Sequence, residues 1–194
     1  MAVATVGMVL ELWFGERART LWFERDAAFD EELRVQLGDS VAAAERGELD
    51  AWAETPDGCL ALVILLDQVT RNLRRGSADA FASDARSLAL ADAAIARGFD
   101  RRVPLDRRLF YYLPFEHAED LAAQQRSVAL FEAWADDHHD GGEAEADAKD
   151  QLRYVRRHLE IIARFGRFPH RNALLGRAST PEEVAFLLEP MSSF

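Results

Sequence analysis

Cysteine and lysine are nearly absent from this chain, which has one residue of each type among 194. Cys59 cannot form a disulfide within the chain, and its position in an apolar run predicts a buried structural thiol rather than a nucleophile. Apart from Lys149, the cationic side chains are arginines and histidines. Because a chain of this length buries about 70% of its unfolded surface, it needs neither a disulfide nor a metal to fold.

Long apolar runs and positive charge are also scarce. No run approaches the roughly 20 apolar residues of a membrane span, and the apolar start lacks a basic leader and meets Glu11 directly. The net charge of -11 repels a polyphosphate backbone. We therefore expect a cytoplasmic protein with one domain over residues 1–194 that binds neither membranes nor nucleic acids.

No segment alternates polar and apolar residues in the manner of a half-buried strand. Apolar residues recur instead at helical spacing, as in Val6, Val9, Leu10 and Trp13. We therefore expect an all-α fold with about eight or nine helices. The other predicted helices span 29–44, 60–66, 78–97, 104–110, 118–134, 152–162 and 181–188, and a solvated loop with paired histidines covers 136–142.

The helix over 60–66 is apolar on every side, which predicts a central position. Three polar clusters interrupt the apolar scaffold, and we expect them to converge around this helix. The first cluster follows it directly and contains Asp67, Arg71 and Asn72. An aspartate at the end of a helix meets the negative end of the dipole, so we expect a cationic partner for Asp67. A wall of a binding site and a structural salt bridge both fit this pattern.

The second cluster contains Glu116, His117 and Asp120. On a helix over 118–134, His117, Asp120 and Gln124 share the core-facing stripe. The start of that helix favours an anion, and the acid and the histidine suit acid–base chemistry if their pKa values are pushed apart. Glu116, His117 and Asp120 are therefore the candidate catalytic residues of an enzyme. Helix caps and packing partners are the alternative.

The third cluster joins His158 to the segment 164–172, which has arginines on a frame of phenylalanine, glycine and proline. Guanidinium groups grip carboxylates and phosphates in a planar, bidentate manner. If carboxylates consume these arginines, the cluster is a salt-bridge network instead. Three histidines and several carboxylates suit a metal site in principle, but no helix pairs them at ligand spacing, and we expect no metal or cofactor. The candidate ligand-binding residues are Asp67, Arg71, Asn72, His158, Arg164, Arg167, His170, Arg171 and Asn172.

The motifs in these clusters together resemble the bacterial family known as domain of unknown function 924. The resemblance rests on residues 64–72, 112–120 with 124–131, and 164–172, with further matches at 13–15, 81–84 and 190–194. One departure is Val69-Thr70, where the family commonly has phenylalanine and proline. The resemblance implies an all-helical array similar to the α–α superhelix of tetratricopeptide-repeat proteins. It implies no activity.

Three classes of function follow from these patterns. The first is a binding module that holds an anionic small molecule or a peptide terminus in an Arg/His-rich pocket. The second is a hydrolase that uses the Glu/His/Asp cluster, with arginines stabilising the transition state. The third is a protein-interaction adaptor, which helical-repeat folds often support. We rank the binding module above the enzyme because the chain has no Gly-rich phosphate loop, nucleophile elbow or zinc-helix signature.

Overall fold

The computed structural model describes residues 3–138 and 142–194, and the regular elements in these ranges are all helical. The all-α prediction is therefore confirmed. The chain divides into two compact units, residues 1–111 and residues 112–194. A single domain over 1–194, the tetratricopeptide-like array and the convergence of the three clusters stay predictions. Among the described residues, no helix combines the length and apolar character needed to cross a membrane.

The first unit is built around a long, buried helical segment. Thr55 caps its start by accepting from the Gly58 amide at 3.2 Å, and Pro56 occupies the first turn. Helix α4 (Pro56–Val63) continues through the π-helical turn Ile64–Val69 into α5 (Thr70–Leu73), and residues 58–70 are all buried. The buried helix predicted over 60–66 is confirmed. The first unit contains α1 (Val6–Trp13), α2 (Glu16–Arg19), α3 (Ala27–Glu45), α4 (Pro56–Val63), α5 (Thr70–Leu73), α6 (Asp84–Ala96) and α7 (Leu105–Arg108).

Two predicted helices of the first unit are shorter than expected. Ser77 caps only the 3-10 turn Ala78–Phe81, and α6 begins after Ser83, so the continuous helix over 78–97 is wrong. The segment 104–110 likewise divides into α7 and the 3-10 turn Leu109–Tyr111. Both breaks fall between stretches of equally helical composition, where periodicity alone carries no stop signal.

The second unit pairs two long helices, α9 and α10, along their apolar faces. Phe131 and Trp134 of α9 and Val155 and Ile161 of α10 are buried. Gly166 ends α10 in the left-handed conformation, with φ of 68°. Residues 139–141 of the predicted histidine loop lie outside the described residues. The second unit contains α8 (Leu113–Glu116), α9 (Leu121–Asp136), α10 (Glu143–Phe165), the 3-10 turn Pro169–Arg171 and α11 (Pro181–Phe186).

Helix α9 begins later than the sequence suggests. Asp120 is its N-cap, with extended backbone angles, and its side chain accepts from the Ala123 amide at 2.8 Å. His117 precedes the helix and caps the end of α8 instead. The prediction that His117 and Asp120 share a core-facing helical stripe is therefore wrong. The helix begins only after its N-cap, Asp120, so neither residue lies within it. Gln124, in the second turn of α9, is fully buried as predicted.

Candidate functional site

The polar cluster of the first unit is held by internal pairs. Arg71 donates to Asp67 Oδ1 at 3.2 Å and to both oxygens of Asp84 at 3.0 and 3.1 Å. Asn72 donates to Asp30 Oδ1 at 2.8 Å. The predicted cationic partner of Asp67 is thus Arg71. Since these contacts brace α5 against α3 and α6, they give the predicted binding residues Asp67, Arg71 and Asn72 a structural role within this unit.

Arg164 and Arg167, at the end of α10, are also engaged by carboxylates. Arg167 makes a bidentate pair with Glu183, at 2.6 and 2.8 Å. That pair, with the Thr180 amide, lowers the pKa of Glu183 to about 2 despite its burial. Arg164 donates to Glu182 at 2.9 Å on the surface. These pairs join the end of α10 to α11 and its capping box.

A third pair anchors the loop after α10. Glu119 accepts from Arg177 at 2.6 and 2.8 Å and from the Phe168 amide at 2.7 Å. Burial opposes ionisation of Glu119, but the bonds from Arg177 and Phe168 outweigh it and lower its pKa. Phe168 is fully buried. Neither Arg177 nor Glu119 was predicted as a site residue, although both carry charge within or beside the three polar motifs.

Glu116 and His158 form a buried pair between α8 and α10. His158 Nδ1 lies 3.0 Å from Glu116 Oε1 and 2.9 Å from the Tyr154 carbonyl oxygen. The two side chains are each 6% exposed. Because a carbonyl oxygen only accepts, Nδ1 carries a proton, and in the neutral ring Nε2 is then a hydrogen-bond acceptor. The predicted catalytic Glu116 therefore pairs with His158 and not with its neighbour His117.

Three rings lie near His158 of this pair, and with it they form what we call the ring cluster: His158, Phe168, His170 and Phe194. Phe194 stacks on His158 with 3.9 Å between centroids and 28° between planes. Phe168 meets His158 edge-on at 5.4 Å, and His170 lies 5.6 Å from Phe168 and 5.9 Å from Phe194. The Arg171 guanidinium lies over the face of Phe168, 4.5 Å from its centroid. The predicted site residues His158, His170 and Arg171 are thus brought together.

The ring cluster lies in a positive local field. Burial lowers the pKa of His170 to about 4, and the nearby Arg171, His158 and Arg177 act in the same direction. Glu119 opposes them only partly. His170 is therefore neutral at pH 7. Burial is the main reason, and the second, the positive charge of Arg171, also favours a negative charge nearby.

Several buried polar atoms of this unit have no hydrogen-bond partner among the described residues. Native proteins satisfy nearly all such groups, through protein atoms, water or a ligand. Most of them here are acceptors, and they come from residues beside the Glu116–His158 pair, from α9 and from the loop after α10. The atoms that can accept are Glu116 Oε2, Gln124 Oε1, Ser127 Oγ, His170 Nδ1 and Asn172 Oδ1, and Arg177 Nε is a donor in the same condition.

The chemistry available here is therefore that of a polar, partly aromatic site that has both buried acceptor atoms and a nearby arginine. Asp120 contributes as a helix cap, and Asn172 donates to Ser179 and Glu183 while its Oδ1 stays unbonded within the protein. Across residues 3–138 and 142–194, no three His, Cys, Asp or Glu side chains are arranged to hold a metal ion.

Comparison with known proteins places the chain among uncharacterised bacterial proteins. The family described as "Bacterial protein of unknown function (DUF924)" matches residues 9–191. The solved structure of a protein of unknown function from Agrobacterium tumefaciens is 42% identical, with a TM-score of 0.81, and the match covers 94% of this chain and 96% of that one. No curated protein matches the chain. Neither description assigns an activity.

Proposed function

This chain belongs to the bacterial DUF924 family of proteins of unknown function, and we propose that it acts as a small-molecule binding module. The site lies in the second unit, at Glu116, His158 and His170. Its ligand is a small molecule, or a peptide terminus, that carries an acidic group together with an N–H or O–H donor.

The proposal depends on one observation, the unequal use of the two Glu116 oxygens. Oε1 is bound by His158, whereas Oε2 is buried and has no partner among the described residues. The other carboxylates of this unit that hold the loop, Glu119 and Glu183, have both oxygens bonded. Burying a carboxylate oxygen without a hydrogen bond is costly. A purely structural Glu116 gains nothing from a buried oxygen without a partner. In a binding site, a donor group of the ligand supplies that partner.

The acidic group of the ligand follows from the charges around His170. Arg171 is the arginine that acts most strongly on His170, and its positive charge attracts an anion placed beside His170. The donor group follows from the excess of acceptors, Glu116 Oε2 and Gln124 Oε1 among them. Amino acids and hydroxy acids combine both features. The outer arginines, Arg164 and Arg167, support the loop through Glu182 and Glu183 rather than contacting the ligand.

Thermal shift and calorimetry test the proposal with amino acids, hydroxy acids, short carboxylates, phosphate, sulfate and nucleotides. A ligand that binds only the folded state stabilises it by about 2.7 kcal/mol at 100 times its dissociation constant. We expect an amino or hydroxy acid to stabilise the wild type and not Glu116→Gln, which keeps the size of the side chain. Glu182→Gln, at an exposed carboxylate, is the matched control and should respond like the wild type. A wild type that responds to no probe contradicts the proposal.

A second candidate function, an acid–base hydrolase, is favoured by the Glu116–His158 pair. The carboxylate and the Tyr154 carbonyl hold the Nδ1 proton, so Nε2 of the neutral ring is placed to act as a general base. His158→Gln should then abolish hydrolysis of ester and amide probes, while His117→Gln should retain it. Hydrolysis by the wild type that survives in His158→Gln rules out this function.

A further inference from the structure

We propose that the ligand of this site carries a planar aromatic group, which binds on the face of His158 where the Phe194 ring now lies. This inference rests on the proposed function and names the class of its ligand as small aromatic acids with a donor group. Aromatic amino acids are the simplest members of that class.

The first observation is the geometry of the Phe194 contact. The ring stacks almost parallel on His158, at 3.9 Å, and yet Phe194 is 44% exposed, whereas His158 is 5% exposed. Phenylalanines that serve the core of this unit are buried completely, as Phe168 and Phe186 show at 0% and 1%. Phe194 therefore covers a buried polar ring from the outside. A half-exposed ring on a buried partner is the part of the cluster that another ring can replace.

The second observation is the way in which the preceding segment is held. Met191 has a positive φ of 54°, a left-handed conformation that costs energy for a residue with a side chain. This turn directs the chain back towards α10. Side-chain bonds to the turn come from Arg157, which donates to the Met191 carbonyl at 3.2 Å, and Ser192, which donates to the Leu187 carbonyl at 3.1 Å. A strained turn of this kind is released at lower cost than a regular helix.

The third observation is what surrounds the position of the Phe194 ring. His158 supplies the stacking face, while Phe168 and His170 supply the flanking rings. Glu116 Oε1 contacts Nδ1 of the same His158 ring at 3.0 Å. A ring that replaces Phe194 thus lies against the same His158 that binds Glu116, with His170 5.9 Å from its centre. An aliphatic acid of equal charge lacks the stacking contact.

Calorimetric titration with L-phenylalanine and L-leucine tests the inference, because the two probes have the same charge and similar size and differ in the ring. The variants are Phe194→Ala, Phe194→Leu and, as a control in the first unit, Phe23→Ala, whose phenylalanine is 56% exposed. We expect Phe194→Ala to bind L-phenylalanine about tenfold more tightly than it binds L-leucine and more tightly than the wild type does. Phe194→Leu should behave similarly, while Phe23→Ala should match the wild type.

The outcomes separate this inference from the proposed function. If acidic probes bind the wild type in a Glu116-dependent manner but Phe194→Ala gains nothing for L-phenylalanine, the aromatic class is wrong and the binding module stands. If no acidic probe of any kind binds the wild type or the Phe194 variants, the binding module is wrong and the inference falls with it. Circular dichroism confirms that each variant is folded, and Phe194→Leu keeps the test decisive if Phe194→Ala does not fold.

Discussion

His158 Nδ1 lies 3.0 Å from Glu116 Oε1 and 2.9 Å from the carbonyl oxygen of Tyr154, one turn earlier on α10. Two acceptors thus converge on a single imidazole nitrogen in the interior of the second unit. Such an arrangement fixes both the orientation of the ring and the position of its proton. It leaves Nε2 and Glu116 Oε2 as the groups available to a bound molecule.

The neutral form of His158 should therefore be the tautomer with the proton on Nδ1. Two-bond ¹H–¹⁵N correlation spectra distinguish the tautomers directly. Glu116→Gln should leave the tautomer unchanged, because the Tyr154 carbonyl still accepts from Nδ1. A proton on Nε2 in the neutral ring would contradict the hydrogen bonds described above.

Phe168 should be a major contributor to the stability of the second unit. Its ring is fully buried against His158 and beneath the Arg171 guanidinium. Phe168→Ala should lower the free energy of unfolding by about 3–5 kcal/mol, as expected for a truncated core aromatic. Urea denaturation measures this loss. Phe194→Ala is the control with the same change of side chain at a half-exposed position, and it should cost clearly less.

His170 should make the protein less stable as the pH falls. Burial, with help from Arg171, lowers its pKa from 6.5 to about 4, so the unfolded chain binds the proton more readily than the folded one. The contribution of neutral His170 is complete above pH 6.5 and is lost as the pH falls to 4, by up to about 3 kcal/mol. Denaturation between pH 7 and pH 4 should show this loss in the wild type and a smaller loss in His170→Gln. Equal slopes for the two proteins would mean that His170 titrates normally.

The Arg167–Glu183 pair should also stabilise the protein less as the pH falls, but at lower pH and because a charged group becomes neutral. The pair lowers the pKa of Glu183 from 4.5 to about 2, so its stabilisation is complete above pH 4.5 and disappears as the pH falls to 2. The stability deficit of Arg167→Ala should shrink over that range in urea titrations. Arg164→Ala is the control, because its exposed pair with Glu182 should contribute little at any pH. A deficit that does not change with pH would assign the role of Arg167 to packing.

Replacing either of two glycines by alanine should change the stability of the protein, but in opposite directions. Gly38 lies within α3, and a Cβ atom there meets nothing within 4 Å, so Gly38→Ala should stabilise the protein by about 0.5–1 kcal/mol. At Gly58 a Cβ atom would collide with the Trp52 carbonyl oxygen and lie 2.7 Å from Thr55 Oγ1. Gly58→Ala should therefore destabilise the protein by about 1–3 kcal/mol. Calorimetric melting of both variants measures the contrast, and a stable Gly58→Ala would contradict the close approach.

Features that depend on neighbouring residues could be predicted from the sequence. Helical spacing identified the all-α class and the buried segment that contains Leu60 to Leu66. The helix predicted from residue 181 begins there in the structure, behind a capping box of Thr180 and Glu183. These signals are local, because each is carried by residues within two turns of one another.

The sequence alone determined the helical class, the apolar core segments and the three polar motifs, because composition and spacing carry that information. Tertiary packing decided which oppositely charged side chains pair with the residues of those motifs. Glu183 pairs with Arg167, Glu119 pairs with Arg177, and Glu116 pairs with His158 of another helix. Packing also brought Phe194 onto His158. Residues far apart in the chain make these contacts, and no local pattern specifies which of several equivalent arginines or carboxylates becomes the partner.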